Sequence, residues 1–286
     1  MEPAAQVGQL VDNRYRIARL IGRGSMADVF DARDEIANRD VALKILRGRI
    51  AQDKEAVIRL QREAHLQEMI SHRNVAKVYG GGSTEFRAPY LVFELLQGVS
   101  MRQVVRNHGR VASFKAASYI WQALQGLSAA HTLNIFHRDI KPANLMLEPS
   151  PGPVERVVLI DFGFATLQGS ARLTMTGHVV GSLAYLAPER IGTADPGSAA
   201  ADIYALGVIF FELLTGQRPF VADSELKLVT MQLEQQAPSL RAVAPDADIS
   251  PALENVVLRA LAKDPAERPA SAAAMAVEIE QAMDGG

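Results

Sequence analysis

Cysteine is absent from this chain of 286 residues. Disulfide bonds, zinc sites with thiolate ligands and a catalytic cysteine are therefore excluded. An excess of basic charge is also missing, because 30 Lys and Arg residues stand against 32 Asp and Glu residues. Nucleic-acid-binding domains usually carry a basic surface, so we expect no nucleic-acid partner. The lack of cysteine is compatible with a reducing cytoplasm, which is the location we expect.

Long hydrophobic runs are missing as well. The chain opens with MEPAAQVGQL, which lacks the basic and apolar regions of a signal peptide. The most apolar stretch, residues 203–214, is too short to span a bilayer and contains Glu212. We therefore expect no membrane contact within this chain. The chain stops soon after its last predicted helix, which leaves open that it is the cytoplasmic domain of a longer, membrane-anchored protein.

Hydrophobic periodicity separates a β-rich first part from a helical second part. Short runs rich in β-branched and aromatic residues predict strands over 15–21, 27–33, 40–46, 75–79 and 90–94. A charged helix is predicted between the third and fourth strands, over about 53–70. After Gln97-Gly98, helical spacing predicts helices over 114–132, 202–215, 251–263 and 270–283. The helix over 202–215 is apolar on nearly every face, so we expect it to be buried.

Two short polar strings indicate phosphoryl transfer. In HRDIKPAN, over 137–144, Asp139 is placed to accept a proton from an attacking hydroxyl, and Lys141 can neutralise charge on a transferring phosphoryl group. Asn144 and the Asp161 of DFG, over 161–163, supply the hard oxygen ligands that Mg²⁺ prefers when phosphates complete its octahedron. Either string alone can arise by chance on a surface loop. The pair, in this order, favours the chemical interpretation.

With Ile140 in place of Leu, these strings resemble the H-R-D-L-x-x-x-N and D-F-G motifs of the protein-kinase superfamily. The resemblance runs from about Tyr15 to Met283 and implies an α+β, bilobal protein-kinase fold. A β-rich N-lobe with one main helix is expected over 15–94, a hinge over 95–98 and a mainly helical C-lobe over 99–283.

The resemblance also implies an ATP site on the predicted strands. The segment GRGSMADV, over 22–29, resembles the glycine-rich G-x-G-x-x-G-x-V loop with Ala27 for the third glycine. By itself this segment is more often a plain hairpin turn.

In the VALK string, Lys44 would reach the α- and β-phosphates and pair with an acid on the next helix. Glu63 is our choice for that acid, ahead of Glu55 and Glu68. The remaining contacts to the nucleotide are expected from Ile21, Gly22, Gly24, Val29, Ala42, the gatekeeper Phe93, the hinge residues Glu94 and Leu96, and Met146.

The second part of the chain contains further matches to the family, and the resemblance implies structural roles for them. Ala187-Pro188-Glu189 resembles the A-P-E element that closes the activation segment. Glu189 would form a buried ion pair with Arg268. Asp202, which opens the buried helix, would accept backbone N–H groups from the catalytic loop.

The implied activity is transfer of the γ-phosphoryl group of ATP to Ser or Thr hydroxyls of proteins, with Mg²⁺ or Mn²⁺. Lys141, two positions after Asp139, resembles Ser/Thr kinases, and LTMTGHVVGSLAYLAPE over 173–189 looks like bacterial receptor-type members, the Hanks-type or eukaryotic-like kinases. Autophosphorylation is expected at Thr174 and Thr176, with Arg138 engaging the added phosphate. A dimer would allow this reaction between two copies of the chain.

Two other functions stay open at this point. A pseudokinase would keep the fold as an ATP-binding scaffold, and its expected sign is loss of Lys44, Asp139, Asn144 or Asp161, none of which is lost. Gln67 does depart from the family, which usually has an apolar residue one turn after Glu63. A kinase-fold small-molecule phosphotransferase would share the loop Asp and Asn, but would not be expected to carry the A-P-E element.

Overall fold

The computed structural model describes residues 5–24, 27–47, 54–85, 87–162, 183–192 and 197–285. In the helix Lys54–Glu68 it leaves out the side chains of residues 54–56, 59, 60, 62 and 63. The chain folds into two compact units. The first comprises Met1–Ser71 and Val75–Gln97, and the second comprises His72–Asn74 and Gly98–Gly286.

The first unit is built on an antiparallel six-stranded sheet with the strand order β1-β2-β3-β4-β6-β5. Its strands are β1 (Leu10–Val11), β2 (Tyr15–Arg23), β3 (Ala27–Asp34), β4 (Arg39–Leu46), β5 (Val78–Ser83) and β6 (Pro89–Glu94). The helix α1 (Lys54–Glu68) follows β4 in the chain. Along β4 the side chains alternate, so that Val41, Leu43 and Ile45 are fully buried while Ala42 and Lys44 lie half-buried on the other face.

Strand β5 differs from the prediction, which placed it at 75–79 and not at Val78–Ser83. The three glycines at 80–82 belong to this strand. A Cβ on Gly81 would lie 2.7 Å from the Leu91 side chain, and one on Gly82 would lie 2.6 Å from the Tyr90 hydroxyl. Glycine is therefore present because β6 side chains fill the space that a side chain would need.

The first unit also contains an N-terminal strand, β1, that the sequence did not predict. It is only two residues long, too short to show periodicity, and its Val11 packs into the core of the sheet with Tyr15 and Tyr90. The turn after β1 is fixed by a hydrogen bond from the Tyr90 hydroxyl to the Asp12 carboxylate.

A buried carboxylate, Asp34, ends β3. Arg14 binds both of its oxygens, with Nε–Oδ1 and Nη2–Oδ2 distances of 2.8 Å, and the N–H groups of Ile36 and Ala37 donate to Oδ1. The hydrogen bond from Arg14 is the largest of the effects that lower the pKa of Asp34 to about 2. Asp34 therefore holds the β3–β4 turn in its charged form.

The second unit combines a small sheet with helices. The sheet has the order β7-β8-β9, formed by Val99–Ser100, Leu145–Glu148 and Arg156–Leu159. The helices are α2 (Met101–His108), α3 (Ser113–His131), α4 (Ala199–Thr215), α5 (Glu225–Glu234), α6 (Leu240–Val243), α7 (Pro251–Ala260) and α8 (Ala272–Asp284). Single 3₁₀ turns occupy Pro142–Asn144, Pro188–Arg190 and Pro265–Glu267.

Helix α4 is the buried helix that the sequence predicts. It begins three residues earlier than expected, because the Ser198 side chain accepts the N–H of Ala201 as an N-cap, and it ends at Gly216 in the left-handed conformation (φ 78°). A Cβ on Gly207 would lie 2.9 Å from the Ala260 side chain, so glycine allows α7 to approach α4 closely. Among the helices that the structure describes, none is long and apolar enough to cross a membrane.

Candidate active site

The loop over 137–144 is anchored by hydrogen bonds to the first turn of α4. The buried Asp202 accepts the His137 N–H on Oδ2 at 2.8 Å and the Arg138 N–H on Oδ1 at 2.9 Å. The Nε2 atom of His131, in the last turn of α3, lies 3.0 Å from the same Oδ2. The expectation that Asp202 accepts backbone N–H groups of this loop is confirmed.

His137 connects the loop to the DFG segment. Its fully buried ring lies 4.5 Å, centroid to centroid, from the Phe162 ring. Nε2 is 3.0 Å from the Ile160 carbonyl oxygen, and Nδ1 accepts the Asp139 N–H at 3.4 Å. Burial lowers the pKa of His137, and these two contacts fit a neutral ring protonated at Nε2.

The Asp139 carboxylate is bound by the two loop residues that the sequence singled out. Lys141 Nζ lies 2.7 Å from Oδ2, and Asn144 Nδ2 donates to the same oxygen at 3.1 Å and to the Asp139 carbonyl at 2.8 Å. The side chains of Asp139 and Lys141 keep 27% and 26% of their surface exposed. The carboxylate is thus oriented by two donors and remains reachable by a substrate.

Asn144 and Asp161 are brought together by the backbone. The Ile160 N–H donates to the Asn144 carbonyl at 3.0 Å, which places Asp161 directly after this contact. Asp161 has a φ of 61°, a left-handed conformation that costs a non-glycine residue roughly 1–2 kcal/mol. Strain of this kind persists at functional sites because the surroundings enforce it.

The donor set fits a magnesium ion that also binds phosphates. With Nδ2 of Asn144 engaged on Asp139, its Oδ1 is the atom that a hard cation would take, beside the carboxylate of Asp161. Within the described part of the chain, no three His, Cys, Asp or Glu side chains form a metal cluster. Two protein ligands completed by phosphate oxygens and water are the usual arrangement for Mg²⁺ in phosphoryl transfer.

In the first unit, several residues predicted to contact the nucleotide share one face of the sheet. Val29 pairs with Lys44 across β3 and β4, and Ala42 pairs with Phe93 across β4 and β6. Residues opposite each other in a pair, and residues two apart in a strand, point to the same side. The four side chains therefore lie together, as the sequence predicts.

The other predicted residues of the first unit flank this face. Gly22 pairs with Val29, and Ile21, beside it on β2, is 41% exposed. The Gly24 N–H donates to the Ala27 carbonyl at 2.9 Å. At the end of β6, the Glu94 N–H donates to the Lys77 carbonyl at 2.8 Å, so a base edge would have to use other backbone groups of this segment. Leu96, two residues later, is half-buried.

The remaining predicted residues divide between described and undescribed parts. Met146 lies on β8, half-buried and paired with Val158. Glu63 is on helix α1, but its side chain lies outside the described residues, as do Thr174 and Thr176.

Gln67, one turn after Glu63, is buried. Its Nε2 donates to the Ala76 carbonyl at 3.4 Å, and its Oε1 has no hydrogen-bond donor among the residues described.

The contacts of two residues at the site could not be predicted from the sequence. One is His131, which contacts Asp202. The other is Arg190, directly after the A-P-E string, whose Nη1 donates to the Arg138 carbonyl at 2.6 Å. Single charged residues at these places are indistinguishable in sequence from solvated ones, because both contacts join distant parts of the chain.

The protein kinase domain family model matches residues 15–279. Serine/threonine-protein kinase pkn3 of Myxococcus xanthus is 37% identical over 97% of this chain and 51% of its own length. The crystal structure of the Mycobacterium tuberculosis PknI kinase domain superposes with a TM-score of 0.74 at 26% identity, covering 97% of this chain and 99% of that one. The structure of Rad53 1-466 in complex with AMP-PNP gives a TM-score of 0.75 at 25% identity, covering 92% and 64%.

The chain spans about half the length of the curated relatives it matches. The α+β fold, with an antiparallel sheet in one unit and a mainly helical second unit, is the fold expected from the sequence and found in these structures. The match covers strands β2 to β6 of the first unit and the loop over 137–144 of the second. The chain belongs to the protein kinase domain family.

Proposed function

We propose that this domain transfers the γ-phosphoryl group of ATP to Ser or Thr hydroxyls of proteins. The observation that carries the proposal is the Asp139 carboxylate, oriented by Lys141 and Asn144 on a loop that Asp202 anchors. Three curated relatives, 35–37% identical to this chain, are named serine/threonine-protein kinases, which supports Ser and Thr as acceptors.

In the proposed reaction, the substrate hydroxyl oxygen forms a bond to the γ-phosphorus while the bond from that phosphorus to the β–γ bridging oxygen breaks. Asp139 accepts the hydroxyl proton and orients the oxygen for in-line attack. Lys141, 2.7 Å from Asp139, neutralises charge on the transferring group. ADP leaves with the electron pair of the broken bond on its terminal β-phosphate oxygen. A divalent cation supplies the additional charge neutralisation that phosphoryl transfer requires.

The nucleotide is assigned to the residues predicted from the sequence. Lys44 binds the α- and β-phosphates, with Glu63 as its partner, and the glycine-rich segment with Gly22 and Gly24 covers them. The adenine is assigned to Ile21, Val29, Ala42, Phe93, Glu94, Leu96 and Met146. The side chains of Val29, Ala42 and Phe93 share a face with Lys44, which supports this assignment.

The cation is assigned to Asn144 and Asp161. Mg²⁺ is the cation assigned to this site, and Mn²⁺ can take its place because both bind carboxylate and amide oxygens in octahedral geometry. We further propose that the domain works in the cytoplasm, where ATP is present, and that its partners are proteins with accessible Ser or Thr residues.

The test is incubation of the chain with γ-labelled ATP and Mg²⁺, followed by identification of the phosphorylated residues. Asp139→Asn should keep the fold but lose roughly 10²–10⁴-fold in rate, the usual contribution of a positioned base. Asp246→Asn is the matched control, since it removes a carboxylate from an exposed ion pair with Arg110. Label on neither Ser nor Thr, or equal rates in the parent and Asp139→Asn, would refute the proposal.

Regulation is proposed through Thr174 and Thr176. A phosphate on either adds about −1.5 to −2 charge, and the Arg138 guanidinium is its proposed partner. Transfer between two copies of the chain would require transient dimerisation. Replacing both threonines by Ala should lower activity on an added protein substrate without changing ATP affinity. If phosphatase-treated parent and double variant have equal rates before and after preincubation with ATP, this part of the proposal fails.

A further inference from the structure

Arg138, the residue before Asp139, has a backbone conformation that must be enforced. Its φ is 68°, in the left-handed region that residues with a side chain rarely adopt. On its N-terminal side, its N–H donates to Asp202 Oδ1 at 2.9 Å. On its C-terminal side, its carbonyl oxygen accepts a hydrogen bond from Arg190 Nη1 at 2.6 Å. The strained residue is therefore restrained at both of its peptide groups.

The side chain of Arg138 is restrained as well. Gly197, just before α4, has a φ of 93°, and a Cβ on it would lie 2.9 Å from Arg138 Cγ. Only glycine leaves room for the Arg138 side chain beside this backbone without a shift. The conformation of Arg138 thus depends on two chain segments, the start of α4 with Gly197 and Asp202, and the turn that carries Arg190.

Arg190 starts from a fixed element. It ends the 3₁₀ turn Pro188–Arg190, and the preceding Glu189 is bound by both terminal nitrogens of the fully buried Arg268 side chain. The Nε of Arg190 is buried and has no acceptor among the residues described. An unpaired buried N–H is unfavourable. The hydrogen bond from Nη1 to the Arg138 carbonyl offsets part of this cost.

We propose that Arg190 is a positioning residue for the phosphoryl-transfer reaction, acting through the peptide between Arg138 and Asp139. Peptide groups are planar, so a bond that fixes the Arg138 carbonyl also fixes the Asp139 N–H. That N–H points to His137 Nδ1 at 3.4 Å. Arg190 thereby sets the direction in which the Asp139 side chain leaves the backbone. The inference rests on the proposed function, because it assigns Arg190 to the orientation of the proposed base.

The first experiment compares initial rates of phosphate incorporation at saturating ATP and Mg²⁺. In Arg190→Met, which keeps the aliphatic stem and removes the donors, the rate should fall about 10- to 100-fold, the loss that a displacement near 1 Å can cause. The apparent KM for ATP should stay within about twofold, because Arg190 is not assigned to the nucleotide. Arg190→Lys should recover part of the rate, since an ammonium group can still donate to one carbonyl. Arg106→Met, at an exposed position of α2, is the control and should match the parent.

The second experiment does not depend on activity. Hydrogen exchange of the peptide covering 137–141 should be faster in Arg190→Met than in the parent, while exchange in α4 stays unchanged. A parental rate in Arg190→Met, or unchanged exchange over 137–141, would overturn the inference. It would also be overturned if α4 exchanged faster in both Arg190→Met and Arg190→Lys, since the role would then be only structural. An inactive parent would refute the proposed function, and the exchange experiment would still decide the role of Arg190.

Discussion

Glu189 and Arg268, 79 residues apart in the chain, form a bidentate ion pair with Nη1–Oε1 and Nη2–Oε2 distances of 2.7 and 2.8 Å. The Arg268 side chain is fully buried and also donates to the carbonyl oxygens of Ala200, Ala262 and Lys263. Its guanidinium carbon lies 4.9 Å from the Tyr204 ring centroid. The pair thereby connects the turn before the undescribed residues 193–196 to the start of α4 and to the chain between α7 and α8. This is the pairing that the sequence resemblance predicts.

The first prediction concerns this pair. Glu189→Gln should lower the free energy of unfolding by about 3 kcal/mol or more, because it leaves the buried Arg268 charge uncompensated. Urea unfolding followed by the fluorescence of Trp121, the single tryptophan of the chain, reports on the same unit. The double variant Glu189→Gln/Arg268→Met should lose less than the sum of its single variants. Glu225→Gln, exposed on α5, is the control, and equal losses in both Gln variants would contradict the prediction.

Much of the candidate site was predictable because its residues are close in sequence. Asp139, Lys141 and Asn144 lie within six positions, so one short loop brings them into contact once Asp202 anchors it. The β4 face was predictable for a similar reason, since strand alternation alone puts Ala42 and Lys44 on one side. The catalytic and binding roles of these residues stay predictions.

What the sequence did not reveal depends on contacts between distant segments. Strand β1 is two residues long and becomes a strand only by pairing with β2. Helix α2 has a capping box at its start, formed by Ser100 and Gln103, and its apolar residues follow helical spacing, but at eight residues it is shorter than the stretch over which periodicity identifies a helix. The contact of Arg190 with the Arg138 carbonyl spans 52 residues and follows no local pattern.

The second prediction concerns the cation. Asp161→Asn should raise the Mg²⁺ concentration for half-maximal rate at least about tenfold, because a neutral amide is a weaker ligand for a hard cation than a carboxylate. Asn tolerates the left-handed φ of 61° that this position requires, so the backbone should be preserved. Rates are measured against Mg²⁺ at fixed ATP, with unfolding curves as the check on folding. An unchanged Mg²⁺ dependence in a folded Asp161→Asn protein would mean that Asp161 is not a ligand.

The third prediction concerns pH and Asp34. Since the folded pKa of about 2 lies below the ordinary value of 3.8, Asp34 stabilises the fold above pH 4 and loses this effect as the pH falls through 3.8 towards 2. The shift corresponds to about 2 kcal/mol at pH 7. Asp34→Asn should therefore be less stable than the parent by about that amount at pH 7, with the difference shrinking as the pH is lowered to about 2.

Denaturant unfolding followed by far-UV circular dichroism, at several pH values between 7 and 2, tests this dependence. Asp40→Asn is the control, because Asp40 is 61% exposed in its ion pair with Arg33 and should contribute little. A difference between parent and Asp34→Asn that stays constant over this pH range would show that the Asp34 charge is not what stabilises the turn.

The last prediction concerns Gln67, whose side chain is buried in α1. Its Oε1 lacks a donor among the described residues, and its Nε2 makes only a long hydrogen bond, 3.4 Å, to the Ala76 carbonyl. Methionine has the same length without the buried polar atoms, so Gln67→Met should raise the free energy of unfolding by about 1 kcal/mol. Hydrogen exchange of the α1 peptide, which should slow, measures the effect locally. Gln61→Met makes the same change at an exposed position of α1 and should have little effect. Faster exchange in Gln67→Met than in Gln61→Met would mean that the buried amide contributes more through its bond to Ala76 than its unpaired oxygen costs.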